Sequence, residues 1–193
     1  MPGPSTRDRL RAVALRLFLD HGFDATTVNQ VAAEAGVSHM TFFRYFATKE
    51  DVVMDDPYDD VIVDAVRAQD PAMRAVDRVR LGITTAWAAL PEPTADETRA
   101  RVRLIAGHRG LMARAAENNR RTGELVADAL VADGVDALEA RVASAACLAA
   151  LTEGLLQWGA ASTGPTLGSL ITRSLEVLGP EPVPAASAPD GGR

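Results

Sequence analysis

Residues 26–51, TTVNQVAAEAGVSHMTFFRYFATKED, constrain this chain more than any other stretch. Val28, Val31, Ala32 and Ala35 recur at helical spacing and give a short helix one apolar face. Gly36 supplies the left-handed residue on which that helix ends, and Val37 can fold back onto it. Ser38 suits the N-cap of a second short helix, which carries Phe42 and Phe46 one turn apart. Thr48 caps a third, with Asp51 in the reciprocal capping position. Helix, glycine turn and short helix make the helix-turn-helix pattern, whose second helix can enter a DNA major groove.

The flanking sequence supports that unit. Leu10, Val13, Ala14, Leu17 and Phe18 form an apolar stripe that predicts a helix over 6–21, ended by Gly22. It would hold the next two helices at their angle, with Phe23 packed beneath. A fourth helix starts near Lys49 and is interrupted at Asp55-Asp56-Pro57, because proline lacks a donor and restricts the residue before it. From there the pattern is helical to residue 178. Asp70 caps and Pro71 opens a helix over 71–90. Thr94-Ala95-Asp96-Glu97 is a capping box for a helix to 106. Helices follow over 111–133, from 135 or 136 to 161, and over 166–178. No period-two strand pattern stands out. The expected fold is all-α, with about nine helices. Residues 180–193, rich in Pro, Ala and Gly, carry no core pattern and are expected to be a disordered tail.

Composition excludes several function classes. Hydrophobic residues make up 47% of the chain, enough for a core, yet no long charge-free apolar run predicts a transmembrane helix. No signal-peptide core is present at the N-terminus. The single Cys147 rules out an intramolecular disulfide and fits a reducing cytoplasm. No Cys/His cluster has metal-ligand spacing, and no cofactor motif occurs. Neither a nucleophile elbow nor a phosphate loop is present, which argues against an enzyme. The net charge of −6 is unevenly placed: residues 1–50 carry +1 and the remainder −7. Specific DNA contacts from the first part are compatible with that distribution, whereas bulk non-specific attraction is not.

Within the second helix of the motif, Phe42 and Phe46 point to the core, leaving Ser38, His39, Met40, Thr41, Arg44 and Tyr45 outward, with Phe43 between. Arg44 suits a paired hydrogen bond to guanine, His39 a base edge, and Thr41 and Phe43 a thymine methyl. Thr27, Tyr45 and Lys49 carry donors for phosphate oxygens. Lys49 is the only lysine in the chain.

Over residues 10–53, GFDATTVNQVAAEAGVSHMTFFRYFATKEDVV and the helix before it resemble the DNA-binding domain of the TetR family of bacterial repressors. The landmarks are Gly22-Phe23, Thr26-Thr27, Val31-Ala32, Ala35-Gly36-Val37, Thr41, Tyr45-Phe46 and Lys49-Glu50. The resemblance implies base contacts from His39, Met40, Thr41, Phe43 and Arg44, and backbone contacts from Thr27, Tyr45 and Lys49. Met40 and Phe43 depart from the family, which often has a small residue and a tyrosine there. The implied organisation is a DNA-binding domain over 1–50 and a ligand-binding and dimerisation domain over 51–179. A link broken at Asp55-Asp56-Pro57 is a candidate hinge between them.

For the body, the Ala- and Gly-rich residues 137–161 with the leucines that follow suggest an apolar dimer seam. Its candidate residues are Leu148, Leu151, Leu155, Leu167, Leu170, Ile171 and Leu175, and the resemblance likewise implies dimerisation through the last two helices. A two-fold homodimer would set two recognition helices about one turn of double-stranded operator DNA apart. The family implies a ligand pocket, for which Trp87, Ile105, His108, Met112, Leu155 and Trp158 are candidate linings. Arg103 belongs to a run, Arg99, Arg101, Arg103, Arg109 and Arg114, that could rim the pocket for anionic groups. The segment RVRLIAGHRGLMARAAENNRR followed by ARVASAACLAAL resembles the C-terminal domain of mycofactocin-type TetR regulators, a subgroup associated with acyl-coenzyme A. The expected protein is a cytoplasmic repressor released by a lipophilic or acyl-type effector. The alternative is a helical interaction protein that has lost specific DNA binding.

Overall fold

The computed structural model describes residues 5–55, 58–89, 95–161 and 163–179. These fold into ten helices and no strand: α1 Thr6–His21, α2 Val28–Glu34, α3 His39–Tyr45, α4 Lys49–Met54, α5 Tyr58–Arg67, α6 Ala75–Ala88, α7 Ala95–Gly107, α8 Arg109–Ala132, α9 Ala137–Ala160 and α10 Leu167–Glu176. None of them is long and apolar enough to cross a membrane. The expected capping residue Thr94, the Asp56-Pro57 part of the break and the tail from 180 lie outside the described residues.

Local chemistry sets the first helices. Ser5 caps α1 by accepting from the Asp8 amide. Thr27 and Gln30 form a reciprocal capping box on α2, and Thr48 and Asp51 form one on α4. Between α2 and α3, Gly36 sits at φ +66°, a conformation that costs a residue with a Cβ 1–2 kcal/mol or so. There the Gly36 amide donates to Ala33 O and that of Val37 to Ala32 O, closing α2. A head then forms around Leu10, Phe18, Phe23, Val31, Phe42 and Phe46.

That cluster does not stop at residue 50. Val52 and Val53 of α4 and Leu111 of α8 are fully buried in it. A boundary at 50 therefore cuts through a continuous apolar contact. The second cluster joins α5, α6, α8, α9 and α10 around Val66, Val79, Ile83, Leu130, Cys147 and Ile171. Glycine permits the closest approaches. A Cβ on Gly82 would stand 2.8 Å from Val66 Cα, so α5 and α6 touch backbone to side.

Two expected helix starts are corrected. The helix expected to open at Pro71 begins at Ala75. The Asp70 carboxylate accepts from the Ala72 amide and its carbonyl from the Met73 amide, which makes 70–73 a turn. The helix expected from residue 111 begins at Arg109, because His108 itself is the N-cap: its Nδ1 accepts from the Leu111 amide at 3.2 Å. The described residues thus form ten helices, in keeping with the expected all-α fold, with α5 a separate helix after the break.

Candidate nucleic-acid interface and interior cavity

Helix α3 exposes His39, Met40, Phe43 and Arg44, whereas Thr41 and Tyr45, expected outward, are half-buried, Tyr45 because it packs against the core of the head. Phe42 is fully buried and Phe46 nearly so, which turns His39, Met40 and Arg44 outward. Met40 is 78% exposed and Phe43 42%. The His39 and Phe43 rings meet edge-on at 4.7 Å, and Phe43 leans on Phe42 at 5.4 Å, so the two outer rings brace one another. Arg44 lies 5.4 Å from the centre of the Tyr45 ring, whose face it can use while its donors stay in solvent. Ser38 Oγ accepts from the Thr41 amide and shares a 2.9 Å hydrogen bond with the Thr41 hydroxyl. Thr41 is therefore half-buried and partly committed to its own cap.

Two phosphate candidates have internal duties. The Thr27 hydroxyl caps α2 through Gln30, although the residue is exposed. The Lys49 ammonium donates to Phe23 O at 2.7 Å and Thr26 O at 3.3 Å, and lies 4.3 Å from the Phe23 ring centre. It staples the start of α4 to the α1–α2 loop. Its sequence suggested a donor for phosphate oxygens, but the acceptors it meets here are carbonyls of its own chain.

In the body, a cavity of about 540 Å³ lies among α4, α5, α6, α7, α8 and α9. Trp87, Ile105, Met112 and Leu155, all expected there, line it. Arg103, His108 and Trp158 are not among its lining, and each has another role. Arg103 donates to Gly159 O at 2.7 Å and Arg99 to Ala161 O at 2.8 Å, so these cations close the C-terminus of α9. Trp158 is buried under the Arg99 guanidinium, 4.5 Å from the ring centre. His108 caps α8 and faces Asp24 of the head across 3.1 Å.

The arginines of the run do not gather on one surface. Alternate residues leave α7 in different directions, as the i and i+2 spacing requires. Arg101 alone of Arg99, Arg101 and Arg103 lines the cavity, and its Nη1 donates to Asp55 O at 3.1 Å. Arg114 pairs with Asp51 of α4 at 2.8 Å.

The expected seam residues also pack within the chain. Leu148, Leu167, Ile171 and Leu175 are buried within the chain's own core, and Leu151, Leu155 and Leu170 are half-buried against it. Periodicity identified an apolar face, but neighbouring helices of the same chain cover it: α6, α8 and α10 pack on α9, and α6 and α9 pack on α10. The large apolar side chains left outward on α8 and α9 are Leu125, Val131, Leu138 and Val142, with Ala145 and Ala149 exposed beside them. Sequence reading missed several cavity residues: Val53 and Met54, the adjacent small residues Ala115 and Ala116, and Asn119 opposite Thr152. Two successive asparagines, Asn118 and Asn119, inside a 24-residue helix were the available signal, since asparagine is a weak helix former.

Comparison with known proteins agrees with this geometry. Residues 10–54 match the family described as bacterial regulatory proteins, tetR family, and residues 71–181 match the MftR C-terminal domain. A stretch of 49 residues, 25% of the chain, is 51% identical to the HTH-type transcriptional regulator TcmR of Streptomyces glaucescens and covers 22% of that protein. Over 106 residues, 52% of the chain, identity is 30% to the mycofactocin biosynthesis transcriptional regulator MftR of Mycobacterium tuberculosis, covering 52% of it. The chain thus spans about half the length of one of these relatives and less of the other. Among solved structures, Thermus thermophilus FadR, a TetR-family transcriptional repressor in complex with lauroyl-CoA, is 26% identical, with a TM-score of 0.54 over 96% of this chain and 100% of that one. A TetR-family regulator from Syntrophomonas wolfei shares the fold, with a TM-score of 0.62 at 16% identity over 89% and 92% of the two chains. The relatives are regulators rather than enzymes, and this chain belongs to the TetR family of transcriptional regulators, with a helix-turn-helix head and a body of the MftR C-terminal type.

Proposed function

We propose that this protein is a cytoplasmic homodimeric repressor that binds double-stranded operator DNA through two copies of α3 and is released when a lipophilic, acyl-type effector fills the cavity. One observation carries the reading: Val53 belongs to the apolar cluster of the head and also lines the cavity in the body. A ligand that reshapes the cavity wall at Val53 and Met54 therefore acts on the helix that seats the head. It shifts the population only by its difference in affinity for the DNA-bound and released forms. The apolar walls suit an aliphatic chain, and FadR's complex with lauroyl-CoA supports an acyl compound as the first to test. The outward Leu138 and Val142 are the side chains offered to a second copy in place of the buried leucines.

The test is a gel shift on the DNA flanking the coding region, with and without lauroyl-CoA, across salt. Binding that survives moderate salt and is released by the ligand is the expected result. Weak binding that is uniform over sequences and vanishes in moderate salt overturns it in favour of an interaction protein without specific DNA binding. Sedimentation of Val142→Glu is expected to show monomers where the unaltered chain is a dimer.

A further inference from the structure

We propose that Asn119 and Thr152 form a polar anchor in the cavity that reads an uncharged carbonyl or hydroxyl group carried on an aliphatic effector. This rests on the cavity being the effector site. The two residues lie on facing helices, α8 and α9, and both line the cavity half-buried. The Thr152 hydroxyl donates its only proton to Leu148 O at 2.8 Å. Its oxygen must therefore accept from Asn119, and the Asn119 Nδ2 donates to it at 2.7 Å. That chain of donors fixes the amide orientation without reference to hydrogen positions. One N–H and the Oδ1 of Asn119 are left without a protein partner among the described residues. A carbonyl can accept from the former, and a hydroxyl can also donate to the latter.

The surroundings sharpen the choice. Met112, Ala115, Leu151, Leu155 and Leu156 supply apolar walls. The two lining cations are already engaged, Arg101 by Asp55 O and Arg120 by Glu117 and Glu124. Glu153 adds a carboxylate to the lining. A carboxylate group brought in on a ligand would lose its hydration without a cation set aside to meet it. A neutral group loses less and finds the amide already oriented. Two sources carry this chemistry: a neutral lipid such as an alcohol, or the thioester carbonyl of an acyl-coenzyme A.

The experiment measures displacement of the apolar fluorophore N-phenyl-1-naphthylamine from the full chain by 1-decanol, decanoate and decanoyl-coenzyme A. The expected order places decanoate about tenfold or more behind one of the other two, which is about one hydrogen bond's worth of discrimination. Decanol ahead indicates a neutral lipid, and decanoyl-coenzyme A ahead indicates the thioester. Asn119→Leu and Thr152→Val should weaken the better ligand by about tenfold while leaving the fluorophore within about twofold, and Thr152→Ser should restore it. Unchanged affinities in both variants, or decanoate binding as tightly as the others, overturn the anchor while leaving the cavity as the site. Failure of the fluorophore to bind the unaltered chain removes the cavity reading and the anchor with it.

Discussion

Arg101, on the cavity wall, donates to the main-chain carbonyl of Asp55, whose own carboxylate accepts two hydrogen bonds from Arg7 at the start of α1, at 2.5 and 3.0 Å. Arg11 adds a third cation at 3.8 Å. One residue at the end of α4 thus ties the cavity wall to the helix that carries the head. Its carboxylate holds the Arg7 guanidinium above the usual arginine range. Arg101→Met is expected to keep ligand affinity within about threefold while reducing ligand-driven release of DNA, because the link rather than the apolar wall is removed. Parallel ligand titrations followed by fluorophore displacement and by gel shift would separate the two effects. Equal release in the variant would deny Arg101 a part in coupling.

Substitutions at Arg44 and Lys49 are expected to separate base reading from support of the proposed DNA face. Arg44→Ala should relax base preference at one position by about 1–3 kcal/mol and leave melting unchanged. Lys49→Ala should instead lower the stability of the head by about 1–2 kcal/mol, since it deletes charged hydrogen bonds to Phe23 O and Thr26 O. Gel shifts on point-mutated sites, paired with thermal melts, give both readouts. An unchanged melting temperature for Lys49→Ala would return that side chain to the role of phosphate contact.

Gly82 and Gly123 give opposite expectations for the same substitution. A methyl group at Gly82 would meet Val66 Cγ2 at 2.4 Å and Val66 Cα at 2.8 Å, and a backbone atom cannot swing aside. Gly82→Ala is expected to cost about 1–3 kcal/mol by overpacking. At Gly123 the nearest atom is Leu148 Cδ1 at 3.4 Å, an ordinary contact, so Gly123→Ala gains up to about 1 kcal/mol from helix propensity. Thermal melts should move by about 2–4 °C for each kcal/mol in a chain of this length.

Arg78 is fully buried, and Nη2 donates to Asp133 Oδ2 at 2.6 Å while Nε and Nη1 have no partner. Removing the acid alone strands the cation. Asp133→Asn is expected to destabilise by about 2–3 kcal/mol, below the full figure for a buried pair because Asp133 is partly exposed. Replacing the cation by an apolar side chain of similar length, Arg78→Met, should be near neutral, within about 1 kcal/mol. Urea unfolding of the two variants checks the order, and a larger loss for Arg78→Met would contradict it.

Burial pushes the Cys147 thiol from its ordinary 9.0 up to about 12. The unfolded chain gives up that proton first as pH rises. The contribution to stability is therefore complete below about pH 9 and falls between 9 and about 12. Alkylation by iodoacetamide near pH 8 should be much slower in the folded chain than in urea, and Cys147→Ala should flatten the alkaline loss of stability. Rapid alkylation of the folded protein would show that the thiol is open.

The parts of this protein decided by neighbours a few residues apart were legible in the sequence. The caps at Ser38 and Thr48, the left-handed turn at Gly36 and the inward Phe42 with outward Met40 follow from backbone sterics and from the 3.6-residue period, which act over one or two turns. Long side chains and apolar faces were not settled in that way. A guanidinium reaches whichever carbonyl or carboxylate the packing brings near, so Arg99 and Arg103 close α9 while Arg101 reaches Asp55. Lys49 turns to Phe23 O for the same reason. A leucine stripe states that a face will be covered but not by what, so Leu148, Ile171 and Leu175 serve this chain's own core. The cavity likewise depends on where six helices leave space, with small residues such as Ala115 and Ala116 in its lining, and that spacing is set by contacts far apart in the chain.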